Sequence, residues 1–202
     1  MGSNSFRLEI ARIERERYER IDYIKETVRL GAGLDANSQL TPEAAERGLA
    51  CLRRFAQRLQ GFAPAQVRAV ATQTLREAAN RNAFLASAQG VLGHAVEVIS
   101  GREEARLIYA GVSHLQPAAN EDGARLVIDV GGRSTEMILG RGQAPIEAES
   151  FAVGSVSLSL AHFADGRMSA AAFRAAQIAA GAELEEGLVP FARERWSEAL
   201  GS

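Results

Sequence analysis

The segment VIDVGGRSTEMILG, residues 127–140, limits the fold more than any other stretch of the chain. It runs apolar into Asp129, bends over Gly131 and Gly132, offers Ser134, Thr135 and Glu136, and becomes apolar again. Short apolar runs bounded by turn residues read as buried strands. A strand ending at Asp129 and a second across TEMILG therefore form a hairpin on this bend, with a third strand expected across PIEAESFAV. A hairpin-rich sheet begins near residue 124, and helical segments are expected to fill most of 155–200. In those segments Phe173, Ile178, Leu184, Leu188 and Phe191 read as helix core.

Upstream, SFRLEIARIE places Phe6, Leu8 and Ile10 on one face and Arg7 and Glu9 on the other, the period of a half-buried strand. RYERIDYIKETVRL reads as its hairpin partner across the charged ERER connection. A helix start follows, with Thr41 as N-cap, Pro42 at the first position and Glu43 in the first turn, and Leu49, Leu52, Phe55, Ala56 and Leu59 recur at helical spacing. VRAVAT and AVEVIS read as strands, each followed by a helical segment, a rhythm that implies parallel pairing. The polar stretch 116–123, with Pro117 and Gly123, is the linker expected between a first domain over 1–123 and a second over 124–202.

The formal charge of −2 excludes a non-specific nucleic-acid binder and makes duplex nucleic acid an unexpected partner. A single cysteine, Cys51, excludes an internal disulfide framework, and no run approaches the ~20 apolar residues of a membrane span. A cytoplasmic protein without a membrane partner is expected. His94, His114 and His162 show no metal-ligand spacing.

Glycines let backbone approach a ligand and let successive N–H groups converge on an anion, and a neighbouring carboxylate can hold a hydrated Mg²⁺. Alone, the 129–136 bend is better explained as a hairpin whose glycines satisfy turn dihedrals and whose aspartate caps the turn. The start GSNSFRLEI carries a second glycine-hydroxyl loop ahead of a hairpin strand, and the pair favours phosphate binding.

The strings GSNSFRLEI (2–10), VRLGAGL (28–34), ATQTLREAANR (71–81), EVISGREEARLIYAGV (97–112), VIDVGGRSTEMILG (127–140) and ESFAVGSVSL (149–158) occur in the order found in one family. The chain resembles the exopolyphosphatase and guanosine pentaphosphate phosphohydrolase family, a branch of the superfamily of sugar kinases, actin and heat-shock chaperone ATPases. The resemblance implies an α/β, actin-like (ribonuclease H-like) two-domain fold. It also implies hydrolysis of a terminal phosphate from inorganic polyphosphate or a guanosine penta- or tetraphosphate, with Mg²⁺ as cofactor. Glu104 matches the family's general base and Arg76 its cleft arginine. Asp129 and Glu136 match the acidic positions assigned to the metal. Ser3, Asn4 and Ser5 match the first phosphate loop, and Gly131, Gly132, Arg133, Ser134 and Thr135 the second. Gly154 and Ser155 match a further glycine turn, which a helix N-cap at Ser155 explains nearly as well.

Three departures shape the expectation. Met1 directly precedes Gly2, so the family's first strand and its aspartate are expected to be missing; the chain ends at Ser202, so the second domain is expected to be incomplete. Open sheet edges would then favour self-association as a homodimer. Arg133 stands where the family has a third glycine; arginine tolerates positive φ poorly, but its guanidinium could meet a phosphate oxygen. A non-catalytic alarmone- or nucleotide-binding module, or an inert fragment, is the alternative to an active hydrolase.

Overall fold

The computed structural model describes residues 1–15, 17–116 and 123–202. They form two compact units, Met1–Val98 and Ile99–Ser202. The expected linker at 116–123 lies almost wholly outside the described residues.

In the first unit, β1 (Ser5–Glu14) and β2 (Arg17–Thr27) form the expected antiparallel hairpin, with a bulge between Ile10 and Ala11. Helix α1 (Pro42–Arg58) starts where the capping residues predict, with Thr41 Oγ1 accepting the Ala44 N–H at 3.3 Å. Its Ala44, Gly48, Cys51, Leu52 and Phe55 are buried, as helical spacing requires. Next come β3 (Ala69–Ala71), α2 (Gln73–Glu77), α3 (Arg81–Leu92) and β4 (Val96–Val98), with β3 and β4 parallel. Gly93, at φ 76°, ends α3 in the left-handed conformation that glycine adopts without a steric penalty. One core, including Phe6, Leu30, Leu52, Leu75 and Phe84, gathers residues from all these elements. The β1–β2 and β3–β4 pairs are separate sheets. Met1 bonds along β3 in parallel fashion: its ammonium donates to the Val70 carbonyl at 2.7 Å, and its carbonyl accepts the Thr72 N–H at 3.3 Å.

In the second unit, α4 (Gly101–Leu115) precedes β5 (Ala124–Val130), β6 (Thr135–Arg141), β7 (Ala144–Phe151), α5 (Ser155–His162), α6 (Ala170–Leu184) and β8 (Glu198–Gly201). The sheet order is β7-β6-β5-β8, antiparallel except that β8 runs parallel to β5. The units therefore divide at 98/99 rather than at 123/124, because α4 packs on the second sheet: Ala105 and Tyr109 bury against Val127 and Ile138. The opposite sheet face carries Leu126, Leu139, Phe151, Val153 and Phe191.

Helical segments occupy most of 155–200, as expected, but the strand Glu198–Gly201 was not anticipated. The buried Arg125 guanidinium of β5 holds it, donating to Glu198 Oε2 at 2.9 Å and to the Gln116 carbonyl at 2.5 Å. Contrary to expectation, Phe173, Ile178 and Leu188 are not core, since all three are exposed. The small Ala176 is the buried residue of α6, with Ala180 and Leu184 partly covered, so alanines make the contact that the larger side chains were expected to make.

Tyr109 pins α4 to the sheet. Its ring is fully buried, and its hydroxyl donates to the Gly142 carbonyl, in the β6–β7 turn, at 3.0 Å. Burial pushes the phenol pKa upward, so the hydroxyl keeps its proton. Tyr109→Phe should lower the unfolding free energy by about 1 kcal/mol, the typical worth of such a bond. Urea denaturation checks this, and a variant as stable as the parent would show that the bond does not hold α4.

Candidate active site

Residues paired across a ladder share a face, as do residues two apart along a strand. Asp129 pairs with Glu136, and Glu136 with Ser150, so these three form a row across β5, β6 and β7. The row Val127, Ile138 and Ala148 lies two residues away on the same face, under Ala105 and Tyr109 of α4. The acidic row therefore emerges next to the N-terminal end of α4, where Ser100 caps the helix by accepting the Glu103 N–H at 3.2 Å and where Glu104 is half-buried. Three of the predicted residues, Glu104, Asp129 and Glu136, are thus brought together.

Glu136 is almost wholly buried. Its Oε1 accepts the Ser150 hydroxyl at 2.8 Å. Burial, then the Glu104 carboxylate, pushes its pKa up to about 7, with Asp129 adding to the rise; the Ser150 and Ser134 hydroxyls oppose it by bonding to the carboxylate. Arg106, one turn beyond Glu103, does not relieve this crowding, because its guanidinium chelates Glu103 at 2.7 and 2.8 Å. Among the described residues no three His, Cys, Asp or Glu side chains are grouped to hold a metal ion. A half-buried Asp129 backed by Glu136 suits a cation that keeps most of its waters, as Mg²⁺ does.

The bend itself differs from expectation in how its residues are used. None of residues 131–134 has positive φ, so the glycines are not there for turn dihedrals and Arg133 sits without strain. Space is the reason at Gly131, where a Cβ would lie 2.8 Å from the Ser134 carbonyl oxygen. The hydroxyls expected to face a phosphate donate to groups of the protein itself. Thr135 Oγ1 donates to the Val153 carbonyl at 2.7 Å, Ser134 bonds to Glu136, and Ser155 Oγ donates to the Gly131 carbonyl at 3.1 Å. The two hydroxyls of the bend are committed to bonds within the second unit. Gly154 is buried where α5 begins and closes against Gly132.

In the first unit, the Ser3 carbonyl accepts the Gly31 N–H at 2.8 Å, and the Asn4 carbonyl accepts the N–H groups of Val28 and Arg29 at 3.0 and 2.8 Å. Ser3 is buried, Asn4 exposed and Ser5 half-buried. The bond from Thr72 to Met1 brings the start of α2 beside this loop. Arg76, in α2, bonds to the Gln73 side chain through Nε and Nη2 at 2.9 and 2.6 Å, which orients its guanidinium.

Ser150 was not anticipated. Counting register back from the turn pairing Arg141 with Ala144 would set Glu149 opposite Glu136; a bulge between Leu139 and Gly140 shifts the pairing by one and brings Ser150 there instead. Ser157 was missed too. Its hydroxyl accepts the Gly154 N–H at 2.9 Å, and only a cap placed at Gly154 would have marked it.

The chain is an α/β protein of actin-like architecture with acids beside a glycine bend. The model of the Ppx/GppA phosphatase family matches residues 9–202, and the chain belongs to that family. It is 43% identical over 202 residues to a candidate exopolyphosphatase of Haemophilus influenzae, covering 100% of this chain and 62% of that protein. Among solved structures, an exopolyphosphatase-like protein superposes with a TM-score of 0.91 at 28% identity, covering 99% of this chain and 63% of the other. An exopolyphosphatase from Cytophaga hutchinsonii does so with a TM-score of 0.80 at 27% identity, covering 100% and 64%. The chain thus spans somewhat under two thirds of the length of these relatives. No helix among the described residues is long and apolar enough to cross a membrane.

The proton on Glu136 makes stability depend on pH. The native chain keeps it up to about 7, whereas an ordinary glutamate releases it near 4.5. Between these values the native state binds more protons than the unfolded state, so stability is full at the acid end and falls as pH rises. Without divalent cations, Glu136 should cost roughly 3 kcal/mol of unfolding free energy across this window. Glu136→Gln, which cannot ionise, should remove that part of the slope in urea titrations at successive pH values; an identical slope in parent and variant would contradict the assignment.

Proposed function

We propose that the chain carries the chemistry of a phosphoanhydride hydrolase, releasing the terminal phosphate of inorganic polyphosphate or of a guanosine pentaphosphate. The observation that supports this best is the juxtaposition of Glu104 with the Asp129–Glu136–Ser150 row beside a glycine bend. Hydrolysis of a phosphoanhydride needs a carboxylate to take a proton from water, donors for the phosphoryl oxygens and positive charge as the bridging oxygen leaves.

Glu104 serves as the general base, at the open end of a capped helix where the macrodipole favours a carboxylate. Its proximity to Glu136 places a second carboxyl group, its pKa raised by burial, beside the attacking water. The bond from water oxygen to phosphorus forms, the bond from phosphorus to the bridging oxygen breaks, and the shortened chain leaves as an oxyanion. Within the second unit the backbone of 131–134 supplies the phosphate contacts beside Glu104 and Asp129. Asp129, with Glu136 behind it, would hold Mg²⁺, which neutralises charge on the phosphoryl oxygens.

The test is orthophosphate release from long-chain polyphosphate with Mg²⁺. Glu104→Gln should lower kcat by about a hundredfold or more with little change in KM. Equal release by parent and variant would remove Glu104 from this role. Binding of polyphosphate in calorimetry with no release by the parent would make the chain a binding module instead.

A further inference from the structure

The carbonyl and the following N–H of a trans peptide point in opposite directions, and no described peptide here is cis. The Gly131 carbonyl accepts the Ser155 N–H at 3.0 Å and the Ser155 hydroxyl at 3.1 Å. The Gly132 carbonyl accepts the N–H groups of Val156 and Ser157 at 2.7 and 3.1 Å. Both carbonyls thus face α5, and the N–H groups of Gly132 and Arg133 are turned together to the side away from it. Successive N–H groups aimed to one side make an anion-binding concavity. The first N–H groups of α5, which in another helix would themselves face an anion, are committed to this arrangement.

We infer that the first turn of α5, Gly154 to Ser157, is a positioning device that aims the Gly132 and Arg133 N–H groups at the phosphate, and that Ser155 acts through the bend rather than by touching the ligand. This rests on the phosphoanhydride reading for the identity of the ligand.

Three further features fit the device. A Cβ on Gly154 would lie 2.6 Å from the Gly132 carbonyl carbon and from the Arg133 nitrogen, backbone atoms that cannot move aside without moving the bend. The buried Thr135 hydroxyl ties β6 to the Val153 carbonyl, just before α5. Ser157 Oγ accepts the Gly154 N–H at 2.9 Å and returns a bond to its carbonyl at 3.0 Å, fixing the residue in closest contact. The first unit repeats the principle: the Ser3 carbonyl is held by the Gly31 N–H, which turns the Asn4 N–H away from residues 28–31.

The experiment combines two measurements on the 202-residue chain. Amide resonances of Gly132 and Arg133 are recorded without ligand, and affinity for inorganic tripolyphosphate with Mg²⁺ is measured by calorimetry. Gly154→Ala should move both resonances and weaken binding by about tenfold or more, the effect of losing a hydrogen bond to a charged group. Thr135→Val should move them in the same sense, and Thr135→Ser, which keeps the hydroxyl, should restore both readouts. That pair carries the test if Gly154→Ala does not fold. Ser155→Ala should weaken binding only insofar as it moves the Gly132 resonance. Weakened binding by Ser155→Ala with both resonances unmoved would make Ser155 a direct contact and overturn the inference, as would moved resonances with unchanged affinity. A parent chain that binds tripolyphosphate, shows these effects and releases no orthophosphate would sustain the device while ending the hydrolytic reading.

Discussion

The carbonyls of Gly131 and Gly132 and the first turn of α5 satisfy one another, and the second unit is arranged around that exchange. A helix begins with N–H groups that lack intrahelical partners, and a tight bend exposes carbonyls that lack strand partners. Joining the two removes both deficits, with the Ser155 and Ser157 hydroxyls as the side chains that take part. It also fixes which way the peptides of the bend face. Orientation of backbone is what a side-chain substitution can least easily alter, so a site built on it tolerates Arg133 in a place where the resemblance suggests glycine.

Beside this bend, sheet register and helix packing concentrate negative charge. Asp129 and Glu136 face one another across β5 and β6, and α4 delivers Glu104 to the same end of the sheet because Tyr109 and Ala105 anchor it one row away. Burial resolves the crowding by keeping a proton on Glu136, to which Ser150 and Ser134 direct their hydroxyls. In the first unit the lone cysteine takes no part in chemistry of this kind: burial, then the Glu26 carboxylate, pushes the Cys51 thiol up to about 12.

Much of this was legible in the residues. The period-2 run at Phe6, Leu8 and Ile10, the cap at Thr41 with Pro42 after it, and the paired strands around residues 131–134 appear where local rules place them. Family membership was legible from the ordered motifs. What could not be read was governed by tertiary context. Glu198–Gly201 contains no β-branched residue and becomes a strand because β5 offers an edge and Arg125 a buried charge. Ser150 reaches Glu136 only through a bulge. Thr135 and Ser134 carry hydroxyls that suit a phosphate equally well in sequence, and only the geometry reveals that they point into the fold. On α6, helical spacing marked Phe173 and Ile178 for burial, yet Ala176 is the buried residue and Ala180 and Leu184 are partly covered.

In the function proposed above, backbone N–H groups of the 131–134 bend, rather than its hydroxyls, receive the phosphate, with Glu104 at hand to activate water. A crystal structure of the chain with tripolyphosphate and Mg²⁺ tests it most directly. Terminal phosphate oxygens should lie within hydrogen-bonding distance of the Gly132 and Arg133 nitrogens and on the Glu104 side of the sheet. A phosphate held by the Ser155 or Thr135 hydroxyl, or one bound away from this bend altogether, would contradict it.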